Sequence, residues 1–471
     1  MSLPVTIFRF EWLSFIRNRI ILCSLAVFTL ISLWSIHSGR VTIQHRLVQQ
    51  DSIQNTYQRD FQTQLKLRTD TSAAGKNTGL AAVVNFRLPQ NALWTPKPLQ
   101  ALAIGITDIQ PFYYQVQTTV NYQEPSNIPV SNPVRLFAGN FDLAFVWLYL
   151  LPLLVIAFCY PLYAEEKETG TAALLKVQQI SLRNLIAYKL LFRAAIISSL
   201  VLALNLVGFA AAPGSGGSAI NNIWWCIITQ LYILIWCGFS WAVVCCKWSS
   251  TITALLLTGC WLVAVMVAPA LVNIYVLAKH PVPLHTELAS LQRHESEEIW
   301  ELPPPILVDS FNAAHPQYAY SSNPVKDTVH GSNRFFAGYH YLLEKRVGKA
   351  AELLDNQVNA RNQYFEKLAA FDPVLHTQQL FNQLAGTRLQ DYCFYRKQVT
   401  AFQQQWKSFL YPWQLSGTPL GVEQFRKFPV FHFQNNPLPA SGLFKSCALL
   451  LLFTLLPLIA GIYLFNRNEP L

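Results

Sequence analysis

Glu165, Glu166, Lys167 and Glu168 follow one another directly behind an apolar run, and Thr169, Gly170 and Thr171 come next. Carboxylates suit the positive end of a helix. A threonine hydroxyl can cap the following turn, and glycine permits a close change of direction. The run 172–177 then collects Ala172, Ala173, Leu174, Leu175 and Val177 between polar flanks. The chemistry on offer is docking: an acidic helix start and a leucine pair, presented to another protein at a membrane surface. An ordinary charged loop is the plainer reading of the same residues.

Catalysis finds no support elsewhere in the chain. His294-Glu295 opens like a zinc-protease helix, but Glu298 stands where the second histidine is needed. His280, His285, His315, His330, His340 and His376 are scattered, and no nucleophile-elbow pattern accompanies them. The phosphate loop G-x-x-x-x-G-K-[ST] is missing. Leu415-Ser416-Gly417 is only a fragment of an ATPase signature. The chain reads as non-catalytic, with no cofactor or metal of its own.

The elements that must position the acidic cluster are apolar. The chain is 52% hydrophobic and 13% charged, against about 25% charged in soluble proteins. Six segments reach the roughly 17–25 mainly apolar residues that a spanning helix needs: 20–36, 143–163, 190–211, 223–245, 251–277 and 443–465. Arg9, Arg17, Arg19, Lys167, Lys176, Arg183, Lys189, Arg193, Lys247 and Arg467 flank one set of span ends, while the short loop 212–222 has no Lys or Arg. The positive-inside rule then puts both termini in the cytoplasm. The first span reads as a retained signal anchor. Excess basic residues are spread along the chain, 35 Lys+Arg against 25 Asp+Glu, and form no block of the kind that binds nucleic acid.

The expected fold is mainly α: a polytopic membrane protein with six transmembrane helices and two extracytoplasmic insertions, the second mostly helical. A cytoplasmic amphipathic segment (1–19) precedes the first span (20–36) and the first insertion (38–141). The second span (143–163) leads to the acidic segment (164–189) and three further spans (190–277). The second insertion (279–442), a last span (443–465) and a short tail (466–471) complete the chain.

Within the first insertion the first span is expected to continue as a helix around 46–67, followed by short strands or loops. The proline-containing stretch 124–134 reads as a linker. In the second insertion, helical periodicity runs through 339–371 and 375–409, with Asp372-Pro373 ending one run and starting the next. The stretch 281–322 is rich in proline and is expected to be irregular around one short helix, 286–300. Phe8, Trp12, Phe15 and Ile16 form an apolar face near the N-terminus, with Arg9, Glu11 and Arg17 available to the polar side. Asn205, Gln230, Thr258, Asn273 and Thr454 are polar residues within spans, read as helix-packing groups ahead of the alternative that they face a pathway. Arg193 and Lys445 are read as snorkelling at span ends.

Glu166-Lys-Glu-Thr-Gly-Thr171, the Leu174-Leu175 pair and the run Ser181-Leu-Arg-Asn-Leu-Ile-Ala-Tyr-Lys-Leu190 resemble the coupling segment of ABC-2 type transporter membrane subunits. Residues 372–387, followed by the aromatic helix through Trp406, resemble a subgroup with large external insertions of unassigned function. The resemblance implies a permease half that pairs with a second membrane subunit, identical or not. The Gln/Asn-rich external segments and the absence of a cleavable signal suit a bacterial inner membrane. A cytoplasmic ABC ATPase would bind ATP and magnesium and supply the hydrolysis. Glu165, Glu166, Lys167, Glu168, Thr169, Gly170, Thr171, Leu174 and Leu175 would couple to that ATPase, and Phe8, Trp12, Phe15 and Ile16 would lie on membrane lipid. The alternative is an ABC-type mechanical transducer acting on an envelope protein without passing cargo.

Overall fold

The computed structural model describes residues 3–69, 79–118, 141–168, 170–171, 181–214, 218–281, 285–318, 327–437 and 439–467. Helix α1 (Leu3–Arg17) is followed at once by α2 (Arg19–Thr69). Asn18 separates them: its Oδ1 accepts from the Ile20 and Ile21 backbone N–H at 3.1 and 3.3 Å. The first insertion continues with α3 (Ala81–Arg87), β1 (Gln90–Leu93) and β2 (Tyr113–Val116). Four apolar helices follow: α4 (Leu143–Glu168), α5 (Leu182–Ala211), α6 (Ala219–Val244) and α7 (Ser250–Lys279). The second insertion holds α8 (His285–Trp300), α9 (Pro304–Ala314), α10 (Asp327–Ala369), α11 (Pro373–Ala385), α12 (Leu389–Ser416) and α13 (Val422–Arg426), and α14 (Ala440–Arg467) closes the chain.

Six of these helices, α2, α4, α5, α6, α7 and α14, are long and apolar enough to cross a membrane. The chain is therefore a mainly α, polytopic integral membrane protein. Helix α2 has 51 residues, which at 1.5 Å per residue is about 76 Å, far beyond a hydrocarbon core of about 30 Å. Its second half therefore stands outside the apolar layer, as the polar sequence after residue 40 requires.

The spans pack around α6. Val155, Ile197, Trp225, Tyr232, Trp236 and Leu450 are all buried in one cluster. Asn205 is its polar centre: Trp147 and Trp225 donate their indole N–H to its Oδ1 at 3.1 and 3.0 Å, and its Nδ2 donates to Thr229 Oγ1 at 3.1 Å. Asn205 and Thr454 are buried packing groups, as expected from sequence, whereas Thr258 and Asn273 are exposed. Helix α4 carries a π-helical turn over Val146–Leu150. Such a turn replaces the i→i+4 ladder locally by i→i+5 bonds. Here Tyr232 OH donates to Leu148 O at 2.8 Å, and Trp261 Nε1 donates to Tyr149 O at 3.1 Å.

The two insertions share a second, aromatic core. Trp94, Tyr114, Tyr392, Tyr395, Phe402 and Trp406 are buried together, with Tyr57 and Phe61 of α2 packed against them. Tyr114 and Tyr392 hydroxyls lie 2.7 Å apart, Tyr395 OH donates to Ala92 O at 2.8 Å, and Trp406 Nε1 donates to Asn85 Oδ1 at 3.1 Å. Helix α11 instead joins the span cluster through Val374, Leu380, Phe381 and Leu384, with the Phe381 ring 4.4 Å from that of Trp225.

Three local expectations change. The stretch 81–86, expected as strand or loop, is α3, with Ala81, Val84 and Asn85 buried on one face. The proline-rich stretch holds a second helix, α9, because Pro304 and Pro305 occupy its first turn, where a missing N–H costs nothing. The expected run 375–409 is two helices. Gly386 adopts φ +70°, and the Thr387 N–H returns to Asn382 O at 2.9 Å, a left-handed cap that stops α11. The linker 124–134 lies outside the described residues.

Candidate functional site

Helix α1 lies along α5 at one end of the bundle. Its Phe8 ring is 5.7 Å from Phe192, Trp12 is 6.4 Å from the same ring, and Phe15 is 6.3 Å from Phe158 of α4. Of the four apolar-face residues, Phe8 and Phe15 are half-buried against the bundle, whereas Trp12 and Ile16 remain about half exposed, 51% and 49%.

Glu11 corrects the expected polar face. It is only 5% exposed, because it shares an i, i+3, i+7 stripe with Phe8 and Phe15. Its carboxylate meets Lys189 Nζ at 3.1 Å and Arg193 Nη2 at 3.6 Å, both from α5. Arg193 does not snorkel. It is 9% exposed, donates through Nη1 to Phe158 O, and lies 3.8 Å from the Glu165 carboxylate. Lys445, by contrast, is exposed.

The acidic segment meets the same two cations. Glu166 Oε1 lies 2.5 Å from Lys189 Nζ. Thr171 Oγ1 donates to the Glu166 carboxylate and to the Glu166 carbonyl, the latter at 3.1 Å. This hydrogen bonding folds the segment back on itself at Gly170, whose φ of +75° needs glycine and whose N–H donates to Lys167 O at 3.3 Å. Glu165, Lys167, Glu168 and Gly170 are exposed. Glu168 also accepts from the Ser250 N–H at the start of α7, at 3.3 Å. Thr169, Leu174 and Leu175 lie outside the described residues.

The arrangement ties three elements together: Glu11 of α1, Lys189 and Arg193 of α5, and Glu165 and Glu166 at the end of α4. Three carboxylates face two cations, and all but the exposed Glu165 are largely withdrawn from water. Burying charges costs several kcal/mol each unless they are paired, so the elements hold one another in place. Nothing in this grouping supplies a nucleophile or a metal cage. Among the described residues, no group of three His, Cys, Asp or Glu side chains could hold a metal ion.

From sequence, Lys189 is a topology marker and the lysine of the coupling-segment resemblance, and Arg193 a snorkelling residue; Glu11 as their shared partner was missed. Two signals pointed there. Glu11 is the one carboxylate in the first 50 residues, and Lys189 and Arg193 are four apart, on one face of a helix.

Residues 286–434 match the family described as a domain of unknown function (DUF3526). The match begins in α8 and ends beyond α13, inside the second insertion, so it leaves out every spanning helix and the cluster around Lys189. No curated protein matches the chain.

Proposed function

We propose that this protein is the membrane subunit of an ATP-driven transporter of the ABC-2 type, powered by a separate cytoplasmic ATPase. The chain would work beside a second membrane subunit and export or extract a substrate, with the acidic segment and both termini on the cytoplasmic side of a bacterial inner membrane. The observation that carries this reading is the double character of the acidic segment. Lys167, Glu168 and Gly170 are exposed, where a partner could reach them, while Glu166 is pinned to Lys189.

A push on the exposed side would therefore be felt by α5 through Glu166 and by α1 through the shared Lys189. ATP can drive such a machine only by favouring one arrangement of the subunits over another. The charged cluster supports this by making α1, α5 and the end of α4 a single mechanical unit. The two insertions would then be extracytoplasmic.

A second reading, mechanical action on an envelope protein without cargo passage, is favoured by one contact. Helix α11 packs within the span core, so movement of α6 would reach the second insertion directly through Trp225 and Phe381.

The test is purification of the tagged full chain in mild detergent with identification of what accompanies it. A stoichiometric ABC ATPase, lost or uncoupled in Glu168→Lys and Gly170→Trp while the chain stays membrane-inserted, supports the transporter family. Unchanged ATPase coupling in both variants, or recovery of the chain without an ATPase, counts against it. Retained transport after deletion of 281–440 argues against the mechanical reading.

A further inference from the structure

A cavity of about 550 Å³ opens between α2 and the short helical turn Gly105–Asp108. This is within the roughly 300–1,000 Å³ of small-ligand sites. Thr42, His45, Arg46 and Gln49 line it from one stripe of α2, and Phe112 and Asp108 close the other side.

Arg46 is the unusual member. Its residue is 7% exposed. Nη2 donates to Trp94 O at 3.1 Å, and the guanidinium carbon lies 5.2 Å from the Trp94 ring centroid and 5.3 Å from that of Phe112. Nε and Nη1 have no hydrogen-bond partner. Among the described residues, no carboxylate lies within ion-pair distance of Arg46, Asp108 included. A buried guanidinium is costly unless an anion and acceptors compensate it. Contact with aromatic faces returns only about 0.5–2 kcal/mol. The site is one anion short.

Its height narrows the anion. Helix α2 needs about 20 residues from Arg19 to cross a hydrocarbon core of about 30 Å, which brings it out near residue 39. Thr42, His45 and Arg46 then stand about 5–10 Å beyond that edge, at or just past the lipid headgroups. The anion a bilayer displays at that level is a phosphate ester. Arginine is well suited to phosphate oxygens because its planar, permanently charged donors match them. Asp108, on the same cavity, leaves room for a cationic group carried beside the phosphate.

We propose that this cavity binds a phosphate ester through Arg46, with Thr42, His45 and Gln49 as further polar contacts. A lipid headgroup and a soluble phosphate share this chemistry. The inference does not depend on the ATPase-coupled reading, since it needs only the membrane level of α2.

The experiment uses the full chain purified in detergent and washed to remove loosely held lipid, then examined by native mass spectrometry. The wild type is expected to keep one phospholipid per chain. Arg46→Gln, and Gln49→Trp, which fills the cavity from its exposed face, are expected to reduce that occupancy at least tenfold. If Arg46→Gln fails to fold, Gln49→Trp decides. The delipidated protein is also titrated with inorganic phosphate, with dihexanoyl phosphatidylethanolamine and with dioctanoylglycerol, which has no phosphate. Binding of inorganic phosphate alone, lost in the variants, upholds the phosphate site and assigns it a soluble ligand. Binding of the short phospholipid, lost in the variants, assigns it to the headgroup. Binding of inorganic phosphate and of the short phospholipid that is equal in wild type and variants, binding of dioctanoylglycerol as strong as that of the short phospholipid, or binding of none of the three probes overturns the proposal.

Discussion

Glu11 of α1 and Lys189 of α5 lie 3.1 Å apart, each with a side chain only 6% exposed. That pair fastens the N-terminal helix to the bundle, and Lys189 extends the link to Glu166 at 2.5 Å. Removing one member of such a buried pair leaves the other charge uncompensated, a cost of about 3–5 kcal/mol. Lys189→Met, which takes the nearest cation from two carboxylates and leaves Glu11 only Arg193 at 3.6 Å, is expected to lower the apparent melting temperature in detergent more than Glu11→Gln or Glu166→Gln. A double-mutant cycle between Glu11→Gln and Lys189→Met measures the pair alone. Additive losses would show that the two side chains do not interact.

Asp142 sits just ahead of α4. Its Oδ1 accepts from Phe145 N and its Oδ2 from Ile104 N, both at 2.8 Å. Burial nonetheless pushes its carboxyl up from 3.8 to about 6, the backbone hydrogen bonds opposing the shift. A pKa raised on folding means the native state prefers the protonated form. The stability that follows is complete below the unfolded value and is lost as pH rises through about 6. At about 1.4 kcal/mol per unit the loss is on the order of 3 kcal/mol. Asp142→Asn is expected to be less stable than wild type at pH 4, having one acceptor fewer, and to flatten this part of the decline between pH 4 and 7.5. Melting curves at both pH values check it. An unchanged pH dependence in the variant would remove Asp142 as its source.

Asn205 joins three side chains in the span core: Trp147, Trp225 and Thr229. Hydrogen bonds between membrane helices are each worth about 0.6 kcal/mol on average and at most about 1.7. Asn205→Leu is expected to cost about 1–2 kcal/mol and to leave two indole N–H groups without their acceptor. Tryptophan fluorescence gives a second readout, because both indoles change environment. A spectrum and a melting temperature like those of the wild type would contradict the hub.

Asp372 caps α11 by accepting from Val374 N at 2.7 Å and Leu375 N at 3.3 Å. Loss of such a cap costs about 0.5–2 kcal/mol. Asp372→Ala is expected to lower stability by that amount, and Asp372→Asn to restore most of it. Hydrogen exchange should rise first at the start of α11, where the second insertion meets the spans. Equal protection there in the alanine variant and the wild type would refute the capping role.

The cap of α11 was legible because its signals are local: an aspartate, then a proline, at the start of an apolar period. The stop at Gly386 was also written locally, yet the periodicity on either side ran through it and hid the break. Glycine marks a left-handed turn only when the next backbone bonds close it, and those depend on the fold. The second helix of the proline-rich stretch was missed for the opposite reason, since prolines that break a helix interior also begin one.

By itself, the sequence determined the six apolar helices, their order and the helical second insertion. Length and hydrophobic period are properties of neighbouring residues, and a bilayer selects for them directly. Only the tertiary structure decided which charges meet and which are left alone. Glu11 and Lys189 are 178 positions apart, and Tyr114 and Tyr392 are 278 apart. No local pattern marks such partners, because burial, and with it the cost of an unpaired charge, arises only when distant segments close over the same space. The unmatched guanidinium of Arg46, enclosed by Trp94 and Phe112, comes from that closure and has no signature in the chain.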